Sequence, residues 1–187
     1  MLDNKITIRQ SESGDEADLK RLWYEVFGDT EKFVNTFFDM LYFPGAACLA
    51  VFGNKVVGAG YCLPGIVALG KKCSYIYAVA TYPEYRGKGI AAMVVRSLTA
   101  RAFSEGAELV AVLPASESLT GWYERVLGMK PTFQKGSAGA TFPASWYRFA
   151  EIFKPTDSGA PKQLWAVGAP HINLSNFRDV GWEFTFE

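Results

Sequence analysis

Histidine is almost missing from this chain: 187 residues contain one, His171. With so few soft ligands, no metal site is expected. Cysteine is scarce too. Cys48, Cys62 and Cys73 are odd in number and lack CxxC spacing, which argues for reduced thiols in a cytoplasm rather than a disulfide framework. Charge of one sign is not in excess, with 19 basic against 19 acidic residues. A dedicated nucleic-acid binder carries a basic surplus, so no nucleic-acid partner is expected. No apolar run approaches the ~20 residues that span a bilayer, so no membrane partner is expected either. The opening MLDNKITIRQ lacks the apolar stretch of a signal peptide. Disorder is excluded by what is plentiful, 49% hydrophobic and 15% aromatic residues. Such a chain makes one globular domain with a sizeable core, and has length to spare for an appendage.

The balanced total hides an uneven distribution. Residues 1–41 carry nine acids against five bases, whereas residues 42–101 carry seven bases and one acid, Glu84. The middle third therefore suits an anionic ligand, and the acidic first third a cationic one. Scattered solvated charge is the plainer alternative for both.

Period and punctuation give the elements. Ile6 and Ile8 alternate in a short strand. Leu19, Leu22, Trp23 and Val26 recur at helical spacing up to Gly28, and Thr30 caps a second helix with Phe33, Phe37, Phe38 and Leu41 on its apolar side. Residues 48–52 and 56–63 read as a hairpin turned at Gly53-Asn54. Residues 72–81 form a long strand, stopped by Pro83. A helix over 89–105 ends at Gly106, a buried strand covers 109–113, and Leu119, Trp122, Tyr123 and Val126 stripe a helix ended by Gly128. Residues 129–134 and 145–153 read as two further strands.

The strand, helix and strand of 72–113 form a βαβ unit, and the chemistry gathers in its first connection. Arg86-Gly87-Lys88-Gly89 opens the helix. Glycines let backbone approach a ligand, the free N–H groups of the first turn point at it, and the helix dipole favours an anion. Arg86 and Lys88 add charge, which makes a phosphate cradle. A turn needing positive φ would use the same glycines. Gly87-x-Gly89-x-x-Ala92 has the spelling of a dinucleotide fingerprint, but the acid required at the end of the next strand is absent; Glu108 precedes that strand. Gly65, Gly70 and Lys71 nearly spell a P-loop, but Lys72 replaces the hydroxyl residue and a strand follows.

Arg86-Gly87-Lys88-Gly89-Ile90-Ala91 resembles the R/Q-x-x-G-x-G/A signature of the GCN5-related N-acetyltransferase (GNAT) superfamily, with alanine last. Residues 79–85 resemble that family's approach to the signature. Trp122-Tyr123-Glu124-Arg125-Val126-Leu127-Gly128-Met129 resembles its F-Y-x-x-x-G-F segment, and the order of elements from residue 6 to about 153 also fits. Pro114-Ala115-Ser116-Glu117-Ser118 is similar to a subgroup related to the Eis-like acetyltransferases, although many members have asparagine where Ser116 stands.

The resemblance implies an α/β fold: a mixed, largely antiparallel sheet with a central βαβ cofactor unit flanked by helices. It implies an N-acetyltransferase that moves an acetyl group from acetyl-CoA to a primary amine, on a small molecule or a peptide, in a ternary complex. The amides of Gly87, Lys88, Gly89, Ile90 and Ala91 would hold the pyrophosphate, with Arg86 beside them. The backbone of Val79 and Thr81 would pair with the pantetheine arm, and Ser116 would lie near that arm. Tyr123 falls at the general-acid position beside the departing sulfur; by periodicity alone it reads instead as a core tyrosine on the helix stripe with Leu119 and Val126. The base that takes the ammonium proton stays open among Tyr75, Tyr77, Glu25 and Glu117, acting directly or through water, with Tyr77 carried forward as a candidate. Gly121, inside a helix, reads either as clearance for the cofactor arm or as tight packing on the sheet. A catalytically idle acyl-CoA-binding sensor or interaction module is the alternative to the enzyme.

The domain expected from the resemblance covers 1–154. Residues 155–161 read as a linker, and the remainder of 155–187 as an ordered C-terminal extension. Trp182-Glu183-Phe184-Thr185-Phe186 alternates like a half-buried strand, and Leu164–Val167 offers a second. This extension packs on the body or on a second copy of the chain. It either borders the acceptor cleft or only covers a sheet edge.

Overall fold

The structure, a computed structural model, describes residues 5–136, 138–154 and 162–186. In chain order the elements are β1 (Ile6–Gln10), α1 (Glu16–Phe27), α2 (Glu31–Met40), β2 (Ala47–Phe52), β3 (Lys55–Ala68), β4 (Lys71–Thr81), α3 (Ile90–Ser104), β5 (Leu109–Val112), α4 (Glu117–Leu127), β6 (Lys130–Lys135), α5 (Ala144–Ile152), β7 (Gln163–Gly168) and β8 (Gly181–Trp182). The strands form one sheet in the order β1-β2-β3-β4-β5-β7-β6-β8. Parallel pairs β4–β5 and β6–β8 stand among antiparallel ones. This is the expected mixed, largely antiparallel α/β fold. Among the described residues no helix is long and apolar enough to cross a membrane.

The chain divides into two compact units, Met1–Leu63 with Tyr77–Ala100, and Pro64–Ile76 with Arg101–Glu187. In the first unit α1 buries the stripe Leu19, Leu22 and Trp23 and stops at Gly28, whose φ of 69° no branched residue would adopt readily. The Thr30 side chain accepts from Phe33 N, which caps α2. Trp23 anchors the apolar layer: its ring lies 4.8 Å from Phe37, 5.3 Å from Tyr61 and 5.7 Å from Tyr77. Its indole N–H donates to Asp29 at 2.8 Å, so its polar atom is satisfied. The alternating glycines of β3 bring α3 close. A Cβ on Gly58 would meet Ile90 Cγ2 at 2.8 Å, and one on Gly60 would meet Val94 Cγ1 at 3.1 Å.

The carboxylate of Asp15 joins β1 to the start of α1. It accepts from Arg9 Nη1 at 2.6 Å, Arg9 Nη2 at 2.7 Å and Glu12 N at 2.7 Å. The Arg9 bonds, and secondarily the Glu12 amide, hold its pKa below the ordinary carboxylate value against burial. Because the folded pKa is depressed, the contribution is present above the ordinary carboxylate range and is lost as pH falls through the folded value. Arg9 is 41% exposed, so solvent screens the pair. Asp15→Asn is expected to lower stability by about 1–2 kcal/mol at neutral pH, with the difference closing in acid. Urea melts at the two pH values check this.

In the second unit the four residues of β5 pair with Cys73–Ile76 on one side and with β7 on the other. Trp182 is fully buried against Phe133, Phe142 and Tyr75 at 4.9, 5.4 and 5.6 Å. The expected extension supplies β7, an interior strand between β5 and β6, and β8, the edge strand. Its expected linker, residues 155–161, lies outside the described residues.

Two sequence expectations are corrected. Residues 145–153, expected as a strand, instead carry helix α5 (Ala144–Ile152), with Phe153 its extended C-cap. Buried Trp146 and Phe149 stand three apart with exposed Tyr147 and Arg148 between them, which is the helical period. Of residues 182–186, only Trp182 belongs to a strand. Phe184, Thr185 and Phe186 are all buried, so the segment has no solvent face for an alternating strand to present. Its backbone is held by side chains instead: Trp182 Nε1 donates to Phe184 O at 2.8 Å, and the Tyr75 hydroxyl to Thr185 O at 3.1 Å.

Candidate active site

The first unit carries the Arg86–Gly89 loop. β4 kinks at Ala78, whose φ of 48° is left-handed and costly for a residue with a Cβ. Past that kink, Tyr77–Thr81 extend beyond the four residues that β5 pairs with. A single tight turn over Pro83–Tyr85 follows, then Arg86 to Gly89, all exposed. Gly87 and Gly89 have φ of 76° and 75°, and a Cβ on either would meet nothing within 4 Å. Backbone conformation, not crowding, demands these glycines, and the space above them is open. The first bond of α3 runs from Met93 N to Gly89 O at 3.1 Å. The helix therefore gives the N–H groups of Ile90, Ala91 and Ala92 no acceptor, and they face outward at its positive end.

Two side chains tie this loop down. Arg86 Nε donates to the Thr81 carbonyl at 3.1 Å, so that carbonyl already has a partner while the rest of the exposed guanidinium stays available. Lys88 Nζ lies 5.0 Å over the Tyr85 ring. Val79 is half-buried and Thr81 buried, with the Thr81 hydroxyl lacking a partner among the described residues. Exposed left-handed glycines, a helix start and two cations fit a diphosphate.

Of the sequence-derived bases, Tyr77 lies half-buried against Trp23 and Phe37, 5.7 and 5.6 Å between ring centroids. Tyr75 holds the chain's end through Thr185, which accounts for its hydroxyl without catalysis. Glu25 and Glu117 are exposed on α1 and at the first turn of α4.

The second unit holds Tyr123 and Ser116. Tyr123 is 6% exposed, with Trp122 edge-on at 4.8 Å. Burial pushes its phenol up to about 12. Among the described residues none hydrogen-bonds to that hydroxyl, so the proton it holds has no protein acceptor. Ser116 is the exposed, extended residue before α4, and its hydroxyl lies 2.8 Å from that of Ser118. Glu108, set aside in sequence as a nucleotide ligand, has a structural role: His171 and Lys71 side chains and the Lys72 amide pull its carboxyl down to about 2.

Tight packing does not explain Gly121. A Cβ there would meet only the flexible tip of Arg125, Nη1 at 3.4 Å. Gly121→Ala is therefore expected to raise stability by about 0.5–1 kcal/mol, the helix-propensity difference. A lower melting temperature would mean that packing demands glycine after all.

Sequence reasoning did not find the Ala78 kink, which alanine does not advertise, or the packing role of Gly58 and Gly60. Alternate glycines inside an apolar strand were the available signal for the latter.

A family described as acetyltransferase (GNAT) domain matches residues 7–126. No curated protein sequence matches the chain. Among solved structures, it is similar to a GNAT family acetyltransferase from Brucella melitensis in complex with acetyl-CoA: TM-score 0.59 and 17% identity, over 76% of this chain and 99% of that one. It is also similar to the GNAT family N-acetyltransferase YhbS from Escherichia coli in complex with CoA, with TM-score 0.63 and 15% identity over 89% and 82%. N-acetylglutamate synthase from Neisseria gonorrhoeae, complexed with coenzyme A and N-acetyl-glutamate, gives TM-score 0.55 and 14% identity; 89% of this chain spans 35% of that one. At these identities the likeness is one of fold.

Proposed function

This chain belongs to the GNAT acetyltransferase domain family, and on that premise we propose that it transfers an acetyl group from acetyl-CoA to a primary amine through a ternary complex. The observation that carries the reading is the coincidence of Gly87 and Gly89, both left-handed and open above, with the start of α3 and the cations Arg86 and Lys88. Relatives of the same fold are crystallised with acetyl-CoA and CoA.

Acetyl-CoA, when bound, supplies the activated thioester. The amides from Gly87 to Ala91 would receive its pyrophosphate, with Arg86 and Lys88 neutralising charge. The backbone of Val79 and Thr81 would pair with the pantetheine arm, the Thr81 carbonyl also accepting from Arg86 Nε. An amide at the Ala78 kink or at Val79 would face the carbonyl oxygen as negative charge develops there. Ser116, which replaces a common asparagine, would contact the arm through its hydroxyl. Tyr123 holds a proton at its phenol oxygen for the leaving sulfur. An alkylammonium acceptor, pKa about 10.4, must lose a proton before it attacks, and Tyr77 is our candidate to take it, directly or through water. The acidic first third supports a cationic acceptor. The three buried thiols support a reducing, cytoplasmic setting. The finer kinship with Eis-like enzymes rests on Pro114–Ser118 alone.

The test is a panel of amines with acetyl-CoA and a free-thiol readout. Acceptor-dependent thiol release supports the enzyme. Coenzyme A binding with no such release across a broad panel replaces it with the idle acyl-CoA-binding module.

A further inference from the structure

We propose that Tyr85 is a positioning residue of the Arg86–Gly89 loop: its ring holds the Lys88 ammonium ready for the diphosphate of coenzyme A without neutralising it. The proposal rests on the acetyl-CoA reading above and adds a residue that reading leaves out.

Tyr85 closes the tight turn between β4 and the loop. Its N–H donates to Tyr82 O at 2.9 Å, and the next amide, Arg86 N, donates to Pro83 O at 3.2 Å. Its half-buried ring packs near Phe52, the last residue of β2, with centroids 6.0 Å apart. Two ammonium groups lie over that ring. Lys88 Nζ is 5.0 Å from the centroid, and Lys55 Nζ, at the start of β3, is 5.4 Å away.

Two cations on one ring would repel each other unless one were balanced. Lys55 is the balanced one: it donates to Glu84 at 3.3 Å and also lies 4.6 Å over the Tyr82 ring. Glu84 is the single acid of residues 42–101, and Lys55 occupies it. Lys88 makes no ion pair among the described residues, so the ring of Tyr85 is what holds it.

How a lysine is held decides what it can bind. A carboxylate would hold Lys88 but cancel its charge and take its N–H donors. An exposed lysine held by nothing keeps both, yet loses rotamer freedom when a ligand orders it. An aromatic face does neither. It attracts the cation through its quadrupole, keeps the positive charge whole, and leaves the N–H groups that point away from the ring to an incoming oxygen. Arg86 is also held by a neutral group, since its Nε donates to the Thr81 carbonyl. Both cations of the loop are placed in advance, and neither is spent on an acid. That arrangement suits a ligand with more than one negative charge, as a diphosphate has.

Calorimetric titration with coenzyme A at low salt tests the role. Tyr85→Leu keeps apolar bulk beside Phe52 and removes the ring face. It is expected to weaken binding about two- to fivefold, the worth of one exposed cation–π contact. Tyr85→Phe keeps the face and is expected to retain the parent affinity. In a Lys88→Gln background Tyr85→Leu is expected to add nothing, because the ring acts only through that lysine. A second measurement needs no cofactor. In the free parent the Lys88 Hε protons should resonate upfield of those of an unstacked lysine, by the ring current of Tyr85, and the shift should vanish in Tyr85→Leu. A parent that does not bind coenzyme A defeats the acetyl-CoA reading and this proposal together. A parent that binds it overturns the role of Tyr85 alone on any of three results: unchanged affinity in Tyr85→Leu, the same loss with and without Lys88, or unshifted Lys88 protons.

Discussion

Gly89→Glu is expected to abolish coenzyme A binding while leaving a folded protein. Two effects act at this position, and they separate. At φ 75° any L side chain is strained, by about 1–3 kcal/mol; nothing lies within 4 Å of the Cβ, so no clash adds to it. A domain of this size tolerates that loss. The second effect is electrostatic and local. A carboxylate would sit at the positive end of α3, where the N–H groups of Ile90 to Ala92 face outward, and would occupy the place proposed for the pyrophosphate. Gly89→Ala carries the strain without the charge, so it should bind coenzyme A more weakly than the parent but measurably. Calorimetric titration of all three proteins is the measurement. Unchanged affinity in the glutamate variant would remove the phosphate assignment.

The loop geometry behind that assignment, left-handed glycines at the start of α3, was legible because its physics is local. Glycines at two-residue spacing, adjacent cations and a helical stripe behind them need no knowledge of the rest of the chain. The same holds for α1 to α4, whose apolar residues repeat at helical spacing between recognisable caps such as Thr30 and Gly28. Residues 145–153 misled because aromatic residues favour strands by composition, whereas Trp146 and Phe149 are buried by helical period. Residues 182–186 misled for the opposite reason. The alternation is real in the sequence, but Thr185 is buried between Phe184 and Phe186, its carbonyl taken by Tyr75, 110 residues away. No pattern along the chain announces a partner at that separation. The Ala78 kink is invisible on the same grounds: its strain is imposed by neighbours, not by alanine. Tyr75 shows the cost for function. From sequence it was an alternative base; in the fold its hydroxyl anchors the C-terminal segment.

Tyr123→Phe is expected to lower turnover by about 10²–10⁴, the span for one general acid, with little change in coenzyme A affinity. The phenol ring is buried beside Trp122, and phenylalanine fills the same space, so stability should scarcely move. The pKa of about 12 sharpens the expectation. Full transfer from such a phenol to a simple thiolate, pKa about 8.5, runs uphill by about 5 kcal/mol. Tyr123 thus acts mainly by donating a hydrogen bond to sulfur as the carbon–sulfur bond breaks. Overall, the acceptor ammonium gives up two protons, one ending on the thiol and one in solvent. The active form of Tyr123 is the protonated one, and a raised pKa keeps it so until pH climbs through about 12. The parent rate should therefore rise as the acceptor amine deprotonates, about 10.4 for an alkylamine, with no alkaline fall in that range. In the Phe variant the profile should keep its midpoint and lose only its height. A parent rate that falls with a midpoint near 10, the value of an ordinary tyrosine, would show the acid to be a different, solvent-exposed group. Parent-like turnover in the variant would return Tyr123 to the core-tyrosine reading.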